Sequence, residues 1–287
     1  MTALTETASA KVNLSLRVLG RRLDGYHELE SIVAFATVSD ELRLEPGLPF
    51  ELEVDGPFRT VIDGENLVSK AVRLVFEASG GRLKSGRIRL TKNLPVAAGL
   101  GGGSADAAAV LRLLQRANPA IADTLDWAEI ALKLGADVPV CLASRAALMT
   151  GIGERLSPIT RVPPVAILLV NPRLPLSTTD VFHALAAPPV GSTAPTPQIP
   201  AFSDFEDLIR TLAASSNDLE HVARKLCPAV GDVLQALAAL PGARLVRMSG
   251  SGPTCFALFA TLAEADTAGR RLSETRPEWW AAAGTVR

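Results

Sequence analysis

A run of glycine between a strand pattern and a helix pattern constrains this chain more than any other feature. Residues 95 to 108 read P-V-A-A-G-L-G-G-G-S-A-D-A-A, with glycine at 99, 101, 102 and 103. Upstream, Arg87 to Thr91 (R-I-R-L-T) alternates charged and aliphatic side chains, as a half-buried strand does. Downstream, Ala105 to Ala117 is rich in alanine and leucine at helical spacing, and Ser104 is expected to cap that helix. Glycines at such a junction let the backbone adopt positive φ and let a bulky anion reach bare N–H groups, while the helix N-terminus contributes partial positive charge. A glycine run also serves as a plain turn or linker, but the strand, loop and helix setting favours phosphate. A Walker loop requires Gly-Lys-Ser/Thr where the helix opens, whereas Gly102-Gly103-Ser104 has no lysine. A dinucleotide fingerprint needs glycine where Ser104 stands and an acidic residue about twenty positions on, ending a second strand. Asp123 lies near that distance but in what reads as an interhelical turn, so neither familiar loop fits.

At 287 residues the chain has the length of two domains or one large one, and 48% apolar residues supply ample core. A net charge of −1 argues against a general nucleic-acid or anionic-membrane binder, since those work through a broad basic excess. Cys141, Cys227 and Cys255 are far apart and lack metal-ligand spacing, the pattern of buried, reduced thiols. The first ten residues, M-T-A-L-T-E-T-A-S-A, do not read as a signal peptide, and the aliphatic run Val165 to Val170 is too short to span a bilayer. A soluble cytoplasmic protein is expected.

Along the chain, Lys11 to Val18 alternates, with Val12, Leu14, Leu16 and Val18 on one face and Lys11, Asn13, Ser15 and Arg17 on the other. From periodicity alone the polar face reads as solvated. Asp24-Gly25 marks a tight turn that presents Tyr26, the single tyrosine, beside His27. Such a pair suits either a flat heterocycle or simple packing over a hairpin end. Strands are expected at Ser31 to Ala36, Glu41 to Leu44 and Phe50 to Val54. A helix from Asn66 to Ser79 should turn Leu67, Ala71, Leu74, Val75 and Ala78 inward. Another helix covers Leu125 to Leu134 and stops at Gly135. Asp137 follows in A-D-V-P-V, where Pro139 prevents simple helical continuation. Two strands around a glycine turn fit Ala146 to Ile159, and Arg161 to Pro164 marks a boundary between domains 1–160 and 161–287. Beyond it come a buried strand at Val165 to Val170, a short helix near Thr179 and a mobile surface loop from Pro188 to Pro200. Two or three helices occupy Ser203 to Ala239. A strand L-V-R-M, the turn S-G-S-G-P-T, a strand C-F-A-L-F, a helix at Glu264 to Glu274 and a strand near Ala282 to Val286 complete an α+β sandwich. No internal repeat is found.

Five separated pieces together resemble the GHMP kinases, small-molecule kinases named for galactose, homoserine, mevalonate and phosphomevalonate. They are Ala10 to Val18, R-R-L-D-G-Y-H-E-L at Arg21 to Leu29, the loop at Pro95 to Ala108, L-G-A-D-V-P-V at Leu134 to Val140, and M-S-G-S-G-P-T-C-F-A-L-F at Met248 to Phe259. The resemblance implies a two-domain α+β fold, with an N-terminal domain like ribosomal protein S5 and a C-terminal ferredoxin-like sandwich. It also implies an ATP-dependent phosphotransferase with an alcohol acceptor and Mg2+ beside the triphosphate. Asp137 matches the family's catalytic base and Lys11 its catalytic lysine. Pro95, Val96, Ala97, Ala98, Gly99, Leu100, Gly101, Gly102, Gly103, Ser104 and Ala105 match the triphosphate cradle. Asn66 and Lys92 are placed toward the ATP base or ribose, and Ser104 is the candidate metal ligand. D-G-Y-H and L-G-A-D-V-P-V point to the member that acts on a cytidine-diphosphate-linked sugar alcohol of non-mevalonate isoprenoid biosynthesis. Tyr26 and His27 would hold its cytosine, and Asn13, Thr178 and Phe182 would line the same site. Gly250, Ser251 and Gly252 would support the phosphate pocket. Homoserine- or mevalonate-type kinases, a non-catalytic nucleotide sensor and a dinucleotide-dependent oxidoreductase are the competing readings. Monomer and homodimer stay open.

Overall fold

The computed structural model describes residues 2–59, 66–191 and 197–286. The elements run β1 (Leu4–Asn13), β2 (Arg17–Arg21), β3 (His27–Glu45), β4 (Glu51–Asp55), α1 (Leu67–Ala78), β5 (Arg87–Thr91) and α2 (Gly102–Ala117). Next come α3 (Pro119–Ala122), α4 (Trp127–Leu134), α5 (Val138–Ala143), β6 (Ala147–Gly151), β7 (Arg155–Pro158), β8 (Val165–Asn171) and α6 (Thr178–Leu185). The chain closes with α7 (Phe205–Ala213), α8 (Glu220–Leu226), α9 (Ala229–Ala238), β9 (Leu245–Met248), β10 (Cys255–Phe259), α10 (Leu262–Thr275) and β11 (Trp280–Val286). Two compact units result. The first gathers Met1–Ala10, Ser39–Val96 and Gly101–Ser144; the second gathers Lys11–Val38, Ala97–Leu100 and Arg145–Arg287.

In the first unit β5 pairs antiparallel with the end of β3 (Leu42↔Leu90, Leu44↔Ile88) and parallel with β4 (Leu52↔Ile88). Leu42, Leu44, Ile88 and Leu90 are buried, while Arg87 and Arg89 point outward to Glu51 and Glu53. These exposed pairs contribute little; the apolar face carries the stability. Helices α1, α2, α4 and α5 pack on one another. In α1, Asn66 is the N-cap, its side chain accepting from Val68 N at 2.8 Å. The inward stripe is Val68, Ala71, Val72 and Val75, so Ala71 and Val75 face inward as expected while Leu67, Leu74 and Ala78 are not buried. Three valines spaced about one turn apart, not the leucines, set the rotation of this helix.

In the second unit β8 is buried at all seven positions because it lies between β11 and β10, in the antiparallel order β11-β8-β10-β9. Its core continues into α6, α8, α9 and α10 through Leu168, Val181, Val230, Val233 and Leu272. The first part of β3 pairs with β2 and β6, and β6 with β7.

Four expectations are revised. The strand expected from Lys11 to Val18 ends at Asn13, because Leu14 N and Ser15 N both donate to Ile32 O, at 2.8 and 3.4 Å, and break the alternation. Of its polar face only Arg17 is exposed, since every residue from Ala8 to Leu16 is buried. The strands expected at Ser31 to Ala36 and Glu41 to Leu44 are one 19-residue strand, β3. Finally, the helix before Asp137 does not continue, as expected, but the apolar stretch after it is itself a helix: Pro139 stands in the first turn of α5, where a missing N–H costs nothing. Of the loop from Pro188 to Pro200, residues 192–196 lie outside the described residues. Its start is tied down, with Arg21 N donating to Pro188 O at 2.7 Å and Val190 N to Arg21 O at 2.9 Å.

Candidate functional site

In the second unit the end of β1, the crest of the glycine loop and the turn between β9 and β10 come together. Lys11 and Asn13 project from one face of β1 and are 3% and 2% exposed, so the sequence's polar face is an interior polar site. Lys11 Nζ donates to Asn13 Oδ1 (3.2 Å), Asn13 Nδ2 to Ser31 Oγ (2.8 Å), and Ser31 Oγ to Ser15 O (2.5 Å). This relay fixes the Asn13 amide so that its oxygen faces the ammonium without neutralising it. The loop crest is held by the same strand, Lys11 N donating to Leu100 O at 2.9 Å.

One hydroxyl joins all three segments. Ser249 Oγ accepts from Asn13 N (3.2 Å) and donates to Gly99 O (2.9 Å). Gly99 has φ +72°, and a Cβ there would come within 2.9 Å of Gly252 N and O and closer still to Ser249 O. Glycine is required at the crest for both reasons. Asn217 Nδ2 steadies the facing turn by donating to Met248 O and Gly250 O, both at 2.8 Å. Thr178 Oγ1 lies 2.8 Å from Ser251 Oγ, joining the start of α6 to that turn.

Tyr26 and His27 follow a turn in which Asp24 Oδ1 accepts from Tyr26 N (3.0 Å). The Tyr26 side chain is exposed, and His27 stacks on Phe182 with centroids 4.9 Å apart at 30°. Burial, with the Arg21 charge adding, pushes the His27 imidazole below its ordinary range, so the ring is neutral near pH 7. His27 and Phe182 are thus brought together in this unit, with the exposed Tyr26 next to His27 in the chain.

In the first unit α2 begins at Gly102, three residues before the expected start, with Gly101 as N-cap at φ 62°. Ser104 is consequently inside the first turn and is not the cap. Its hydroxyl stands where a helix N-terminus favours anions. Asn66 uses its side-chain oxygen to cap α1, and Leu67 beside it touches the position a Cβ of Gly103 would take, at 3.5 Å. Asp137 is the N-cap of α5 but makes no side-chain cap bond there. Arg112 of α2 holds the other end of α5, donating to Cys141 O (2.8 Å) and Leu142 O (3.3 Å).

Lys92 departs most from expectation. It is 3% exposed, and its ammonium is held between Asp40 and Asp106, so it is turned inward and not toward a base or ribose. Burial opposes its charge, but Asp106 and Asp40 outweigh that and hold it above its ordinary range. Asp40, Asp106 and Ser249 escaped the sequence reading. The signal for Asp106 was its place in a helix whose neighbours, Ala105 to Leu111, are all buried.

Cys141, Cys227 and Cys255 are buried and form no disulfide, as expected; burial pushes the Cys255 thiol well up, so it is unreactive. Among the described residues no group of three or more His, Cys, Asp or Glu is placed to hold a metal ion. Among them, too, no helix is long and apolar enough to cross a membrane.

The family model "GHMP kinases N terminal domain" matches residues 66–145, and "GHMP kinases C terminal" matches residues 198–278. The chain is 50% identical to a 4-diphosphocytidyl-2-C-methyl-D-erythritol kinase of Bradyrhizobium sp. strain BTAi1, over 99% of this chain and 96% of that one. A crystal structure of 4-(cytidine 5'-diphospho)-2C-methyl-D-erythritol kinase superposes with TM-score 0.77 at 38% identity, covering 99% of both chains. A homoserine kinase from Cytophaga hutchinsonii shares the fold, with TM-score 0.68 at 19% identity over 100% of this chain and 95% of that one.

Proposed function

The chain belongs to the GHMP kinase family, and we propose that it transfers the γ-phosphate of ATP to the 2-hydroxyl of 4-diphosphocytidyl-2-C-methyl-D-erythritol. The observation that carries this is 50% identity across 99% of the chain to a relative of that name. It is an ATP-dependent phosphotransferase acting on an alcohol. In the proposed division, residues 1–160 bind ATP and carry the chemistry, and residues 161–287 contribute to the acceptor side.

Phosphoryl transfer needs a cradle for the triphosphate, charge neutralisation and an aligned hydroxyl. The cradle is the backbone from Pro95 to Ala105, whose open amides and the start of α2 face an anion without side chains in the way. Asp137 accepts the hydroxyl proton. In a loose transition state that proton leaves late, so placement matters more than basicity. Lys11, oriented by Asn13, stabilises charge gathering on the transferring group. Tyr26, His27 and Phe182 receive the cytosine by stacking and hydrogen bonding, and Thr178 borders them. Gly250, Ser251 and Gly252 keep the loop crest in place. Asn66 lies at the nucleotide end.

Mg2+ fits this donor set as an ion carried mainly by phosphate oxygens and water, with the Ser104 hydroxyl as a protein ligand. It supplies neutralisation of the triphosphate. The protein is placed in the cytoplasm.

The test is ADP release from Mg2+ and ATP with a panel of alcohols: the cytidine-diphosphate-linked methylerythritol, homoserine and mevalonate. Turnover on the first alone is expected. Preference for an acceptor without cytidine would reject the substrate, and ATP binding with no turnover on any alcohol would reject the kinase.

A further inference from the structure

The ion cluster in the first unit has no part in the chemistry above. Lys92 Nζ is 2.7 Å from Asp106 Oδ2 and in direct contact with Asp40 Oδ2. All three side chains are at least nine-tenths buried. Asp40 comes from β3, Lys92 follows the last residue of β5, and Asp106 is in the second turn of α2. Asp40 Oδ1 also accepts from the backbone amides of Asn93 (2.6 Å) and Leu94 (2.7 Å). Gly102, the first residue of α2, lies directly over the cluster: a Cβ there would be 3.6 Å from Lys92 Nζ and 3.9 Å from Asp40 Oδ2. Asp106 Oδ1 is buried with no hydrogen-bond partner among the described residues.

Residues 92–94 lead into the glycine loop and residues 102–106 lead out of it. One side of the cluster grips the entry through two amides and the Lys92 stem; the other side grips the exit through Asp106. We propose that Asp40, Lys92 and Asp106 are positioning residues for the nucleotide: a buried clamp that fixes both ends of the glycine loop and so sets where its amides meet the triphosphate. This rests on the loop being the ATP cradle.

Charge-assisted bonds from a buried ammonium fix distance and direction in a way apolar packing does not, and such clusters seldom add stability over apolar residues of the same volume. The groups facing Asp106 are Lys92 and Asp40.

The experiment titrates a non-hydrolysable ATP analogue with Mg2+ into wild type, D106A and D106N, and measures KM for the acceptor. D106A keeps Lys92 and Asp40 as a balanced pair but frees α2 from the clamp. Its analogue affinity should fall by about tenfold, with acceptor KM within about twofold, and D106N should restore binding. Unchanged affinity in D106A, or equal loss on both substrates without rescue by D106N, overturns the proposal. Should D106A fail to fold, D106S, whose hydroxyl is too short to hold Lys92 as the carboxylate does, is titrated in its place, with the same fall in analogue affinity expected. Wild-type analogue affinity in D106S would overturn the clamp. A wild type that binds the analogue but phosphorylates no alcohol rejects the kinase reading and leaves this one standing.

Discussion

Gly99→Ala isolates what the loop crest gains from having no side chain. Gly99 sits at φ +72°, and a Cβ there would meet Gly252 N and O at 2.9 Å where ordinary contact begins near 3.4 Å, with Ser249 O nearer still. The facing turn must retreat by about half an ångström or more, and the Ser249 hydroxyl loses its grip on Gly99 O. Left-handed backbone costs alanine about 1 kcal/mol, the lost hydrogen bond about 1 and the overpacking about 1 to 2, so G99A should be destabilised by about 3 to 4 kcal/mol. Gly80 provides the control. It has φ +63° but nothing within 4 Å of the position a Cβ would take, so G80A incurs only the backbone term, about 1 kcal/mol. At about 2 °C per kcal/mol for a chain of this size, thermal unfolding should separate the two variants by about 5 °C. Because the crest faces the triphosphate in the proposed site, G99A should also raise KM for ATP by about tenfold or more, while G80A leaves it unchanged. Equal melting temperatures for G99A and G80A, together with a wild-type KM for ATP, would refute the packing argument.

Asp137→Asn should lower kcat by about 100-fold or more while calorimetric ATP binding stays near wild type; retained turnover would remove Asp137 from the chemistry. Tyr26→Ala should raise KM for the cytidine substrate far more than KM for ATP, and an equal rise in both would misplace the ring. Asp106 keeps its proton in the folded state up to about 7, whereas the unfolded chain releases it near the ordinary 3.8. The folded state thus binds the extra proton between those values, and wild type loses stability as pH rises through them. D106N lacks this loss, so urea unfolding at pH 5 and pH 8 should show its advantage growing, with a ceiling of roughly 4 kcal/mol. Parallel curves for the two proteins would show that Asp106 titrates normally.

What the sequence made legible depended on range. β5 coincides with the alternation of Arg87 to Thr91, and β8 with the aliphatic run at Val165, because burial on one or both faces writes itself into neighbouring residues. Local rules with two outcomes were less decisive. Ser104 resembles a cap, but Gly101 with positive φ starts α2 earlier, and Pro139 is as suited to opening a helix as to ending one. Alternation put Lys11 and Asn13 on one face correctly but could not say that the face is buried, since that depends on Ser31 and Ser249 from distant segments. The cluster of Asp40, Lys92 and Asp106 was beyond reach for the same reason. Its members are 52 and 14 residues apart, and each alone reads as an ordinary surface charge.

The tight turn before β3 leaves this protein with a built-in optical reporter. Tyr26 is the chain's single tyrosine and is 59% exposed, while all three thiols that would compete for a nitrating reagent are buried. Mild nitration should therefore colour one ring and little else. Shielding of that ring by an acceptor analogue would chart occupancy of the cytosine end directly, without a radiolabel and without waiting for turnover.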